Sequence, residues 1–299
     1  MKSLVIVLAT AMMVLTPRAV LAADEPKSHA KYRVATDVPY AVPANPRQML
    51  DVYAPPGAKN LPIVFWIHGG GWVSGDKSVV QVKPQAFAEK GYVFVSVSYR
   101  YVSDVKMAAI MSDIAKAIRW THDHAATYGG DPDRMFVMGH SAGAQLAALV
   151  CTDERYLAAE GLPSLAFIKG CVPLDGDTYD VPLEIATTLA RSKATGEPLL
   201  KFGHPEKFGD PEHQHDLSSV YHAARGKHIP PFLLLHVATY PETTAQALRL
   251  RDALLAEGIP AKTYAAKDTD HEKLNARIGL PDDPVTKVLY EFMDEALAK

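Results

Sequence analysis

Gly139-His140-Ser141-Ala142-Gly143 follows directly on the apolar run Arg134-Met135-Phe136-Val137-Met138, and this junction constrains the fold more than any other stretch of the chain. A serine between two glycines at the end of a strand-like run reads as a sharp strand-to-helix turn. The glycines make room for the turn, the serine is held strained with its hydroxyl exposed, and the following helix aims its first N–H groups at developing negative charge. Upstream, His68-Gly69-Gly70-Gly71-Trp72 follows a second strand-like run, Leu61 to Ile67. Three successive glycines let the backbone approach a reacting carbonyl and point N–H donors at it. This is the arrangement of an oxyanion hole, in which each donor typically contributes on the order of 3 kcal/mol.

Around these two motifs, strand-like and helix-like segments alternate, as in an α/β sheet covered by helices on both faces. Eight strands are expected near Tyr32–Val38, Gln48–Tyr53, Pro62–Ile67, Tyr92–Tyr99, Arg134–Met138, Phe167–Leu174, Pro231–Val237 and Ala261–Ala265. Helices are expected near Pro84–Lys90, Lys106–Tyr128, Ala142–Thr152, Thr243–Glu257 and Val285–Ala298. In Lys106–Tyr128 the residues Met107, Ile110, Met111, Ile114, Ile118 and Trp120 recur at helical spacing, the signature of core packing. The helix stops at Tyr128-Gly129-Gly130-Asp131-Pro132. Residues 176–228 break the alternation and read as an insertion after the sixth strand that covers the site and shapes substrate choice. Its histidines, His204, His213, His215, His222 and His228, lack the cysteines or regular helical spacing of a tetrahedral metal site and read as solvated surface groups.

The two glycine motifs, together with Asp113, Trp120 and the Tyr-Gly-Gly-Asp-Pro stretch, resemble the α/β-hydrolase fold. Within it they resemble the HGGG-bearing esterases and lipases related to hormone-sensitive lipase, and the resemblance runs over most of residues 23–299. It implies a mostly parallel eight-stranded sheet with a small cap at 176–228, and hydrolysis of a small-molecule carboxylic ester through a covalent serine ester. In that scheme Ser141 is the nucleophile and the N–H groups of Gly70, Gly71 and Ala142 hold the oxyanion. No metal and no organic cofactor is implied. Gly139 to Ala144 are also similar to arylformamidases, which leaves an amide or formamide hydrolase as the alternative activity.

A serine hydroxyl near neutral pH needs a general base, and the base needs a third group to fix its tautomer. In this fold the base comes last in the chain, which selects His271, after the last strand and before the final helix. The acid departs from the family pattern. Relatives carry aspartate a few residues beyond the seventh strand, in a context like His-Gly-x-x-Asp-Pro, whereas this chain has His236-Val237-Ala238-Thr239-Tyr240-Pro241. Tyr240 stays neutral, with an ordinary pKa of about 10, and cannot stabilise an imidazolium. Without that acid, a catalytically inactive binding protein on a hydrolase scaffold is a further alternative. Two carboxylates compete for the role, with Asp177 a more distant third. Asp175 ends the sixth strand, where pancreatic-type lipases of this fold carry their acid. Glu242 lies next to Thr243 and Gln246, which read as a T-x-x-Q capping box, so its charge can be assigned to that helix's positive end.

The amino terminus reads as an export signal: Lys2, the apolar stretch Leu4–Leu15, and Val20-Leu21-Ala22 as a cleavage site, giving a 1–22 signal and a secreted or periplasmic domain. The stretch is shorter than the ~20 residues that span a bilayer and is interrupted by Pro17 and Arg18, so no stable membrane insertion is expected after cleavage. The net charge of −3 with scattered basic residues argues against a nucleic-acid partner. Cys151 and Cys171 are expected at similar depths, roughly 13–15 Å below the sheet's upper edge, which leaves open whether they pair.

Overall fold

The computed structural model describes residues 27–29, 32–196 and 204–298. The expected export signal lies outside these residues, as do positions 197–203 of the insertion. Six strands form a parallel block, and the inner ones carry nearly continuous apolar runs because helices cover both their faces, whereas the edge strand Ala261–Ala266 is largely half-exposed. In chain order the strands are β1 (Lys27–His29), β2 (Tyr32–Pro39), β3 (Met49–Ala54), β4 (Leu61–Ile67), β5 (Val93–Val97), β6 (Gly130–His140), β7 (Ile168–Leu174), β8 (Phe232–Val237) and β9 (Ala261–Ala266). The sheet runs β1-β2-β3-β5-β4-β6-β7-β8-β9, parallel from β5 to β9 and antiparallel among β1, β2, β3 and β5. All eight expected strands form. The three-residue β1 is added at the edge, where Lys27-Ser28-His29 shows no apolar alternation that would announce a strand.

The period of two sends β4 into two cores. Ile63, Phe65 and Ile67 join the cluster under helices Met107–His124 and Ala142–Thr152, whereas Val64 and Trp66 join the one under Lys83–Glu89 and Pro284–Leu297. Helix Ala142–Thr152 is buried at every residue. It packs so tightly that a Cβ on Gly143 would lie 2.2 Å from the Ile67 carbonyl oxygen, which explains the second glycine of the turn. The long expected helix forms as Met107–His124 and closes in a tighter turn, Ala125–Tyr128. At its flank, wholly buried Asp113 takes bonds from Gln48 (2.7 Å) and from Arg100 Nε (2.8 Å) and Nη2 (2.6 Å).

Chain order reverses around β4, with β5 on one side and β6 on the other. Clefts at the carboxyl ends of such sheets open at this kind of switch point. Among the described residues, 176–228 contribute no strand. They fold into helices Val181–Thr195, His204–Phe208 and Pro211–Asp216, then a single tight turn at Ser219–Tyr221. Asp180 caps the first of these by accepting from the Leu183 N–H (3.2 Å).

Cys151 and Cys171 are both fully buried free thiols, and they interact with each other. Burial pushes the Cys171 thiol well above its ordinary range, and a protonated thiol is a poor nucleophile. An aromatic disulfide reagent is therefore expected to titrate no thiol in the native protein and both after denaturation. A count of zero after denaturation would mean the two are joined.

Candidate active site

The carboxyl ends of β4, β6, β7 and β9 converge here. Ser141 follows β6 at φ 56°, ψ −122°, a conformation that non-glycine residues adopt only at a cost of about 1–3 kcal/mol and only where their surroundings enforce it. The enforcement is visible. Its N–H donates to the Leu174 carbonyl oxygen of β7 (2.9 Å), and its own carbonyl accepts from Ala144 (2.9 Å) to open the helix. Ala142 is the first residue of that helix, so its N–H has no intrahelical acceptor.

Asp175, one residue past β7, is at φ 51° and is anchored by its N–H to the Leu235 carbonyl oxygen (2.7 Å). Its side chain is wholly buried. Oδ1 accepts from the Val237 N–H (2.9 Å), and Oδ2 lies 2.7 Å from His271 Nδ1. A carboxylate only accepts, so Nδ1 carries the imidazole proton and Nε2 is left as a proton acceptor. Burial alone would push His271 down, but the hydrogen bond and charge of Asp175 outweigh it, and the net shift is upward. For Asp175 burial alone would raise the carboxyl, yet the His271 and Val237 bonds hold it below the usual range. Ser141, Asp175 and His271 line one cavity of about 370 Å³.

The competing carboxylates go elsewhere. Glu242 pairs with Arg191 of the insertion. Asp177 lines the cavity and acts on His271 through its charge. The expected capping box does not form. Helix Pro241–Ala256 begins at Pro241, with Tyr240 as its cap residue, and Gln246 reaches across to the Asp180 backbone, accepting from its N–H (2.7 Å) and donating to its carbonyl (3.1 Å). Glu242 is thereby in the first turn, where the helix dipole favours a negative charge.

The glycine loop folds back on itself. Gly70 (φ 111°) accepts from the N–H groups of both Val73 (3.1 Å) and Ser74 (3.0 Å), and a Cβ there would sit 2.2 Å from the Ser74 carbonyl oxygen. Tyr99 holds the loop's entrance through the His68 carbonyl (2.9 Å) and stacks on the His68 ring at 4.3 Å. Trp72 closes it with Nε1–H to Gln145 Oε1 (3.3 Å), and Gln145 in turn donates to Leu217 of the insertion (3.1 Å). The glycines border a second cavity of about 370 Å³ that also reaches Ser141, so the serine sits between two chambers. Burial lowers His68 to about 4 and His140 to about 3, so both are neutral at physiological pH.

The insertion supplies charges that the sequence reading did not single out. Glu184, Arg191 and Lys207 line the first cavity, and burial pushes the Glu184 carboxyl up to about 7. Their only signal was Asp180-Val181-Pro182-Leu183-Glu184, a helix start. Three of the insertion's five histidines have separate partners: His213 is bonded to Asp210 (2.8 Å), His222 to the Asp216 carbonyl (2.7 Å), and His215 is stacked on Tyr221.

The BD-FAE family model matches residues 50–164, the stretch holding both glycine motifs. The chain is 27% identical to the esterase LipQ of Mycobacterium tuberculosis over 286 residues, 90% of this chain and 64% of that one. It spans less than two thirds of the length of the curated relatives it matches first. Among solved structures, a truncated carbohydrate esterase from gut microbiota superposes with a TM-score of 0.72 at 18% identity, over 92% of this chain and 100% of that one. A butyrate-bound esterase of Thermogutta terrifontis superposes with a TM-score of 0.64 at 24% identity, over 88% and 92%. These superpositions show that the chain has the α/β-hydrolase fold, with the serine elbow and the HGGG loop side by side at the carboxyl edge of its sheet.

Proposed function

We propose that the protein hydrolyses carboxylic esters through a covalent serine ester. Ser141 Oγ attacks the ester carbonyl carbon while its proton passes to His271 Nε2. The tetrahedral oxyanion is held by the N–H groups of Gly70, Gly71 and Ala142. The intermediate collapses as His271 returns the proton to the departing alcohol oxygen. Water then attacks the acyl-enzyme by the same route and releases the carboxylic acid. Asp175 orients His271 and stabilises its cationic form. The strongest support is the 2.7 Å contact between Asp175 and His271 in the cavity that holds the strained Ser141.

A short or moderate acyl chain suits chambers of about 370 Å³, and the polar wall formed by Glu184, Arg191 and Lys207 suits a polar alcohol. Two relatives' descriptions agree with this, a carbohydrate esterase and a butyrate-bound esterase. The signal-like residues 1–22 make the proposed location outside the cytoplasm. Turnover across p-nitrophenyl esters of increasing chain length and sugar esters, with fluorophosphonate labelling of Ser141, tests the reading. An unlabelled serine and no turnover on any ester would refute it.

Ser141→Ala is expected to fold and to lose on the order of 10⁶ in turnover. Asp175→Asn should lose about 10⁴, because the amide cannot stabilise the imidazolium. Glu242→Gln should stay within about fivefold of the parent, having lost only a partly exposed ion pair. A crippled Glu242→Gln beside an active Asp175→Asn would move the acid to Glu242.

The base must be neutral to act, so kcat/KM should rise with pH through the His271 pKa, with its midpoint above the ordinary 6.5. Imidazole titration by NMR in Asp175→Asn should give a midpoint lower than in the parent, because the main opposition to burial is gone and only the charges of Glu272 and Asp177 still oppose it. An unmoved midpoint would separate the two residues. Gly70→Ala should lower kcat by about 10²–10³ with little change in KM, since its methyl displaces donors that act mainly in the transition state. Steady-state kinetics reads both terms.

A further inference from the structure

Two buried basic side chains take no part in this acyl transfer, and both grip the segment that carries His271. His140, next to Ser141 and only 3% exposed, lies with Nε2 3.0 Å from the His271 backbone carbonyl oxygen. Because a carbonyl only accepts, Nε2–H is the donor. The two imidazole rings lie against each other with centroids 4.3 Å apart. Lys83 is wholly buried at the start of helix Lys83–Glu89. Its Nζ donates to the Asn275 carbonyl oxygen (2.8 Å), to Asn275 Oδ1 (2.8 Å) and to Gln81 Oε1 (2.7 Å), and it lies 4.5 Å from the centre of the Trp66 ring.

His271 and Asn275 are the first and fifth residues of the helix His271–Arg277. A helix of seven residues scarcely offsets the cost of its own nucleation, so its placement comes from outside contacts. Asp270 caps it through the Lys273 N–H (2.8 Å), and Leu274 anchors it in the core. Neither contact sets how far the His271 backbone stands from the nucleophile. His140 does, because it is joined to Ser141 by one peptide bond and to His271 by one hydrogen bond.

We infer that His140 and Lys83 are positioning residues for His271, holding its carrier helix against the nucleophile strand at the base's own carbonyl and one turn beyond. The inference rests on the serine-ester reading proposed above. A misplacement of about 1 Å in such a site can cost 10²-fold in rate without altering substrate binding.

The test compares His140→Phe, which keeps the ring and deletes the donor, with His140→Gln, whose amide N–H can reach the same carbonyl. Lys83→Met, which keeps the stem and deletes three donors, is the third variant. Each is assayed with p-nitrophenyl acetate, and kcat is expressed per serine titrated by a fluorophosphonate, so that misfolded protein does not count. We expect kcat per titrated serine to fall about 30- to 100-fold in His140→Phe, to recover to within about fivefold of the parent in His140→Gln, and to fall about tenfold in Lys83→Met, with KM within about threefold throughout. A His140→Phe variant within twofold of the parent, or a glutamine variant no better than the phenylalanine one, overturns the role of His140. If His140→Phe does not fold, Lys83→Met decides alone, and kcat within twofold of the parent overturns the inference. A parent that neither labels nor turns over ester refutes the proposed mechanism instead, which is a distinct result.

Discussion

The parallel pairing of β4 with β6, with Ile67 opposite Gly139, brings the two glycine motifs side by side. Both strands end at the same height, so the HGGG loop and the serine turn leave the sheet as neighbours. Contact is close enough that a Cβ on Gly69 would lie 3.0 Å from Ser141 Cβ. The two glycine runs, some seventy residues apart in the chain, therefore answer one steric demand. A side chain on Gly69 or Gly143 would push the HGGG loop and the serine turn apart. The strained φ of Ser141 follows from the same crowding and is held by the Leu174 carbonyl on the next strand.

Electrostatics then divides the histidines by surroundings. His68 and His140 are buried without a carboxylate against them and are driven towards neutrality. His271 is half-buried, and Asp175 reverses the sign of the shift that burial alone would give it. One carboxylate at the end of β7 thus separates an imidazole whose charged form is favoured from two that are held neutral as parts of the frame.

Those features whose signal lies close together in the chain were the ones legible beforehand. Strands such as Pro62–Ile67 and Val93–Val97 are covered on both faces, so their burial is written as an unbroken apolar run. Tyr240 cannot carry charge, which leaves Asp175 and Glu242 as competing carboxylates, and the contact that sets Asp175 against His271 spans 96 residues, beyond any local pattern. The capping box at Thr243 misled, because Gln246 satisfies the distant Asp180 backbone instead of its own helix start. The insertion's helix Val181–Thr195 was missed for a related reason. Its cap, Asp180, is also held by Arg249 (3.0 Å) and Tyr221 (3.1 Å), contacts that no local pattern announces. The support that His140 and Lys83 give to His271 is equally long-range, spanning 131 and 192 residues.

Gln145 carries a consequence for how such a scaffold diversifies. Its one buried amide joins the HGGG loop at Trp72 to the insertion at Leu217. Replacement segments can vary freely between those points only if they return a carbonyl to the position Leu217 now occupies. A graft that fails to do so strands an amide in the core, at a cost of about 1–3 kcal/mol, and loosens the indole that closes the HGGG loop. Recombination of the insertion is therefore gated at this residue, and libraries that hold the 217 backbone fixed should retain far more folded members than those that do not.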